Sequence, residues 1–310
     1  TRVNGLLYGL PAFALDPKNP TTTGIPLPID ITLLDQTLDS PEASQVSLGL
    51  TTKLGNTGLF FDVEGIYVKG TKELIVADAN WNGNANPTRP NKSYNQINVY
   101  SNDGESEYKA LTLSLNGNLK GGHLVTGSIT FADKKNRSDD FSPEFPTGYP
   151  SDPADLAAEW GRARSNEDLH LVLSGVFRLP LGFTVAPIFT YGSGQPWTQR
   201  YGYDFNGDGK TGDRKPGVER FGQDGPVYRS FDLRLTKAFA IGGTTLEVVA
   251  EGFNLFNSVN YDPASIDGAE FLSGPTLANP AAVAVPNANF GKASATLPSR
   301  EIQLGLRFAF

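Results

Sequence analysis

"EIQLGLRFAF", residues 301–310, alternates without a break. Ile302, Leu304, Leu306, Phe308 and Phe310 fall on one face of an extended strand; Glu301, Gln303, Gly305, Arg307 and Ala309 fall on the other. Successive side chains of a strand point to opposite faces, so this is a strand with one apolar face. Soluble chains ordinarily end in a few loose polar residues. This one ends on an aromatic that continues the apolar face.

The pattern recurs upstream. In "SFDLRLTKAFAI" (230–241), Phe231, Leu233, Leu235, Phe239 and Ile241 share a face, with Lys237 the exception. "DLHLVLSGVFRL" (168–179) and "YKALTLSLNGNL" (108–119) alternate in the same way. Runs of about ten alternating residues match the length of a tilted membrane-spanning strand.

The connections alternate too. Short Gly-rich links occur at Gly55–Gly58, Lys120–Gly122, Pro180–Gly182 and Gly242–Gly243. Between them lie long polar segments at about 70–95, 133–167, 192–226 and 257–299. Compact domains rarely carry several loops beyond about 12–15 residues. Outer-membrane barrels do, with short periplasmic turns and long extracellular loops.

Composition narrows the function classes. The 310 residues contain no Cys, which removes disulfides, thiol catalysis and cysteine metal sites, and no Met. Net charge is −7, and no basic stripe is available to neutralise phosphates, so nucleic acid is not an expected partner. No apolar run nears the ~18 residues of a membrane helix, which leaves spanning strands untouched as a possibility. There is no nucleophile elbow, phosphate loop or dinucleotide fingerprint, so no enzyme activity is expected.

The fold class expected is all-β: an antiparallel transmembrane β-barrel segment of about nine strands. They are placed at 44–55, 58–69, 106–119, 123–132, 168–179, 183–191, 227–240, 244–256 and 301–310. Putting the end of the last strand at the periplasm sets every Gly-rich turn on that side and every long loop outside. Residues 1–310 then form one barrel domain, with 1–43 an extracellular loop segment and 44–310 the strands and loops. An odd strand count is not that of a complete single-chain bacterial barrel, so the chain reads as a piece of a larger one.

Aromatics sit near both ends of the strands: Phe177, Phe183, Phe239 and Phe310 by the short turns, and Tyr191, Trp197, Tyr228 and Phe231 by the long loops. Two such girdles mark the two interfaces of a barrel. Pattern alone leaves a β-sandwich with core aromatics open.

Five stretches occur in order: "HLVLSGVFRLPLGFTVAPIFTYGSGQPWT" (170–198), "DFNGDGKTGDRKPG" (204–217), "SFDLRLTKAF" (230–239), "LEVVAEGFNLFNSVNY" (246–261) and "REIQLGLRFAF" (300–310). Together they resemble the C-terminal barrel region of TonB-dependent outer-membrane receptors, in particular the Oar-like branch. "SPEASQVSLGLTTKLGNTGLFFDVEGIYVKG" (40–70) resembles an earlier hairpin of that region. The approach to the strand at 168 departs from the family's usual Asp-x-Arg-His; here it is Glu167-Asp168-Leu169-His170. The resemblance implies a plugged barrel of about 22 strands as parent, with the plug, the TonB box and the first strands outside this sequence. It implies import of a scarce solute energised by the TonB system of the inner membrane. It also implies that the closing Leu306, Phe308 and Phe310 are read by the barrel assembly machinery. Expected partners are outer-membrane lipid, the rest of the barrel with its plug, TonB, that assembly machinery and an unidentified small solute. The rival readings are a passive porin-like or structural barrel and a secreted calcium-binding β-sandwich adhesion module.

The sharpest local motif is "DFNGDGKTGDRK" (204–215). Asp204, Asn206 and Asp208 stand at positions 1, 3 and 5 of an EF-hand calcium loop, followed by Gly209, with the Lys210 carbonyl at position 7. Position 12 is Lys215 where a bidentate Glu is needed; Asp213 at position 10 is the substitute. Asn-Gly and Asp-Gly also form turns without any cation. Ca²⁺ is therefore the one cofactor expected, against a plain solvated turn. "SDPADLAAEW" (151–160) has the N-cap and early Pro of a short loop helix. The sequons "NKS" (91–93) and "NRS" (136–138) carry little meaning in a bacterial outer membrane. His123 lies beside a short turn and His170 near the outer end, too far apart for a shared metal. His170, Arg178, Asp232, Arg234, Glu247, Glu251 and Arg307 are expected to face the lumen, as a hydrated wall against a plug rather than as individual substrate ligands.

Overall fold

The computed structural model describes residues 2–3, 29–139 and 149–310. Nine antiparallel strands follow one another as neighbours: β1 (Glu42–Lys53), β2 (Leu59–Asp78), β3 (Tyr94–Leu119), β4 (His123–Asn136), β5 (Leu169–Leu179), β6 (Phe183–Gly192), β7 (Tyr228–Ile241), β8 (Thr244–Phe253) and β9 (Glu301–Ala309). β1 and β9 are the two edges of this run and pair with no further strand among the described residues. The short strand Ile29–Leu34 lies parallel to the outer half of β3, so part of the predicted 1–43 loop segment is a strand. Predicted residues 1 and 4–28 of that segment fall outside the described residues.

The registers carry the alternation across the whole sheet. Leu50, Val63, Leu113, Ile129, Leu171 and Tyr191 are cross-strand partners in sequence. So are Thr52, Phe61, Leu115, Gly127, Leu173, Phe189 and Phe231. At the other edge Phe177, Val185, Leu235, Ala250 and Leu304 form one row. Directly opposed residues share a face, so these rows make one continuous apolar face. The reverse face holds rows such as Glu64–Thr112–Thr130–His170 and Arg234–Glu251–Gln303. It is tied by Thr51 Oγ1 donating to Asp62 at 2.5 Å and by a Thr112–Thr130 hydroxyl pair at 3.0 Å.

Near the long loops the apolar face turns charged. The row Leu48–Gly65–Leu111–Phe131 is followed by Val46–Tyr67–Lys109–Asp133, then by Ser44–Lys69–Glu107–Lys135. Lys237, the exception in β7, sits at the opposite end with its ammonium 4.5 Å from the Phe183 ring and 5.3 Å from that of Phe239. A cation over two aromatics beside a turn is the arrangement of an interface.

Four strand ends lie three or more residues from expectation, among them that of β4, which runs on to Asn136. The segment 70–95 is not a long loop: β2 runs to Asp78 and β3 starts at Tyr94. Alternation fails there because Lys72 adopts φ 57° and the register shifts between Gly70 and Glu73. β8 stops at Phe253, short of 256, where Asn254 turns the chain at φ 46°. The tight turns are as the glycines require; Gly242 and Gly243 sit at φ 54° and 88°, which suits a two-residue hairpin.

Candidate functional site

Few of the buried residues are in the sheet wall, Val249 and Ser230 among them. Ile75, Val76, Trp81, Tyr149 and Ala163 are buried, and all lie in the strand extensions or the long loops. With them are buried Asp78, Asn80, Gln96, Asn98, Glu159, Asn166, Asn206, Asp208 and Asp213. The long loops 79–93, 149–168, 193–227 and 254–300 therefore pack on one another as a cap with a largely polar interior.

Three arginines hold that interior. Arg214 grips Glu159 with two bonds, Nη1 to Oε2 at 2.9 Å and Nη2 to Oε1 at 2.8 Å. Glu159 Oε1 also accepts the Ser151 N–H at 2.7 Å. Arg220 donates to the Glu159 carbonyl at 2.9 Å, to Asp139 at 2.8 Å, and to both oxygens of Asn136. Arg89 joins Asp78 Oδ2 at 2.6 Å to the Asp208 carbonyl at 2.5 Å, a link between loops 119 residues apart in sequence. Planar guanidinium groups suit this work because each offers several fixed donors. The loop helix is a single 3₁₀ turn, Leu156–Glu159, capped by Asp155 on the Ala158 N–H, so Pro153 stands before the helix and not at its first position as expected.

The 204–213 loop is closed by its own amides. Asp204 accepts from Gly207 N at 2.7 Å and Gly209 N at 2.9 Å. Asn206 accepts from Asp208 N, and Asp208 from Lys210 N. Asp213 accepts from Phe205 N at 2.7 Å. Gly207 and Gly209 take φ 87° and 88°, the reason glycine recurs there. Burial, then the nearby Asp208 charge, push Asp213 up to about 7. Burial also raises Asp208 and lowers Lys210, whose ammonium lies 3.7 Å from the Tyr149 ring centre. Lys215 is taken by Glu270 at 2.6 Å. Among the described residues no three His, Cys, Asp or Glu side chains are grouped to hold a metal ion.

A cleft of about 530 Å³ opens where three loops meet, lined by Trp81, Arg89, Lys92, Tyr94, Asn206 and Leu277 among others. Its walls are stiffened from behind. Asn80 Nδ2 donates to the carbonyls of Asn91 and Tyr94, and Asn80 Oδ1 accepts from Asn91 N. Sequence reading passed over this cluster. Trp81 and the "TRPNK" segment of 88–92 carry no periodicity, and only an aromatic beside two cations in a long loop signalled them.

The seven residues expected to face the lumen all stand on the polar face. His170 Nδ1 lies 2.6 Å from Glu167 Oε2. Arg234 is 3.4 Å from Glu251, and Arg307 is 3.6 Å from Glu247. Asp232 accepts from Ser230 Oγ and Asn254 N, fixing the outer end of the β7–β8 hairpin. The Arg178 backbone N–H donates to His123 Nδ1 at 3.1 Å. Leu306 and Phe308 lie exposed on the edge strand β9, and Phe310 lies exposed just past its end. Trp197 is not a wall residue: it pairs with Gln223 and packs edge-on against Phe290 at 5.6 Å within the cap.

Comparison with known proteins agrees with this geometry. Residues 3–220 match the family described as outer membrane beta barrel domain. The outer membrane transporter YddB from Escherichia coli is similar with a TM-score of 0.53 at 14% identity, over 91% of this chain and 34% of that one. The FrpB iron transporter from Neisseria meningitidis gives 0.51 at 11%, over 90% and 33%. A mutant of the ferric enterobactin receptor PfeA from Pseudomonas aeruginosa gives 0.51 at 12%, over 88% and 31%. At such identities the likeness is one of fold, and the chain spans about a third of the length of these structures. No curated protein matches it in sequence. The chain belongs to the outer membrane beta barrel domain family, an all-β wall of the bacterial outer membrane.

Proposed function

We propose that the chain is the wall and outer-loop cap of a TonB-dependent receptor of the Oar-like branch, importing a scarce solute. The observation that carries this is the pairing of one continuous apolar face with a packed cap at the long-loop end. In this reading the apolar face meets lipid, and the polar face with His170, Arg178, Asp232, Arg234, Glu247, Glu251 and Arg307 lines the lumen against a plug. The cap chooses the solute. The remaining strands pair with the free edges of β1 and β9, since lipid does not tolerate unpaired strand edges. Phe310, with Leu306 and Phe308, serves as the signal to the assembly machinery. No step of this needs a covalent catalyst, so the protein acts as a receptor and not as an enzyme.

The test is solute accumulation in cells with and without the protein, each with and without the TonB system. Accumulation that requires both is expected. Uptake that persists without TonB would return the passive porin-like reading.

A further inference from the structure

The cleft between the loops has a one-sided chemistry. Arg89 and Lys92 line it, and none of its lining residues is acidic. Lys92 is exposed and forms no ion pair among the described residues. Arg89 is held in place by Asp78 and by the Asp208 carbonyl, with its guanidinium carbon 5.1 Å from the Trp81 ring centre. Trp81 is 7% exposed, and its Nε1–H has no acceptor among the described residues. Buried donors ordinarily have one. Trp81, Tyr94, Pro87, Leu277 and Ala278 supply the apolar part of the lining. The volume lies in the range of pockets that hold small organic molecules. The loop that bears both cations is pinned by Asn80, so little ordering is needed on binding.

We infer that this cleft binds a small organic anion: a carboxylate or phosphate set against Lys92 and Arg89, and an apolar body against Trp81, Tyr94 and Leu277. It deepens the proposed function by assigning a class of solute, and rests on that reading only in calling the occupant cargo. The anionic end replaces water on Lys92 and brings acceptors to a lining with two cations and no carboxylate. The apolar body covers the aromatic wall. A neutral molecule of the same shape gains only the second contribution.

The experiment uses the full-length protein purified in mild detergent and titrated with 1-naphthoate and with its neutral counterpart 1-naphthamide. Binding is read by calorimetry and by tryptophan fluorescence. Naphthoate is expected to bind about tenfold more tightly, the size of a charge-assisted hydrogen bond. Lys92→Gln, at an exposed position that the fold does not use, should remove most of the difference between the two ligands, leaving only the share of Arg89. Leu277→Trp should fill the cleft and weaken both. Equal affinity of the two ligands for the unaltered protein, or a preference undiminished by Lys92→Gln, would overturn the assignment. Binding is measured without TonB. A protein that binds naphthoate selectively yet shows no TonB-dependent uptake therefore contradicts the transport reading and leaves the cleft assignment standing.

Discussion

Replacing Arg214 by Met tests whether the cap is a folded unit. Side chains of Arg214 and Glu159 are 7% and 3% exposed, so the pair lies out of reach of bulk water. Met fills much of the space of the arginine stem but leaves the Glu159 carboxylate with the Ser151 amide as its one remaining donor among the described residues. Breaking a buried pair from one side costs about 3–5 kcal/mol, since a charge remains buried without its counterion. If the cap opens as a unit, its opening equilibrium shifts by roughly two to three and a half powers of ten, at about 1.4 kcal/mol for each. Hydrogen exchange reads this directly. The amides of Trp160, Phe205 and Arg214, bonded to Ala157, Asp213 and Ser151, are spread over two loops and should accelerate together. Amides of the β3–β4 ladder should keep their rates. The double variant Glu159→Leu/Arg214→Met removes both charges and should recover most of the loss. Wild-type exchange in the single variant, or equal acceleration in the wall, would refute a cap held by this pair.

Three further outcomes follow from the same geometry. Leu173→Arg, in the middle of an apolar row, should cost about 2–4 kcal/mol by urea unfolding in lipid, whereas the adjacent Ser174→Arg on the polar face should cost far less; similar losses would contradict the assignment of faces. Asp213 is held near 7 by burial, while a carboxyl in an opened loop titrates near 4. The folded cap thus binds that proton more tightly, and its stability should fall as pH rises from about 4 to about 7. Asp213→Asn keeps an acceptor for Phe205 N and should flatten that slope in exchange measured at several pH values; an unchanged slope would discard Asp213 as its source. For the 204–213 loop we propose weak Ca²⁺ binding, because Asp204, Asp208 and Asp213 must release amide donors to take a cation. Calorimetry should show heat only at millimolar Ca²⁺, and no heat there would end the proposal.

The wall was legible in the sequence because lipid and lumen impose a period of two on every strand that crosses. All nine wall strands fall where alternation placed them, with ends within four residues except in β2 and β3. Those two extend beyond the apolar rows, where neither face must be apolar. Ile75 and Val76 are both buried there although adjacent, a sign of packing on both faces that breaks alternation. The cap was not legible, because its contacts are between single polar groups far apart in sequence. Arg220 reaches Asn136 and Asp139 across more than 80 residues, and Asn206 reaches Asn84 across 122. No local spacing encodes such pairs. The Asp/Asn motif was found by its spacing, yet its carboxylates turn inward to its own amides, which spacing alone does not reveal.

The central claim is that one face of the sheet meets lipid and the other water. The chain has no Cys, so single-cysteine variants along β9 and β5 report without background. Spin labels at 302, 304 and 306, and at 171 and 173, should be relaxed by oxygen dissolved in the bilayer. Labels at 303, 305 and 307, and at 170 and 172, should be relaxed by a water-soluble nickel chelate. The ratio of the two effects should alternate with a strict period of two, in phase across both strands. A ratio that does not alternate, or that alternates in opposite phase in β5 and β9, would contradict it.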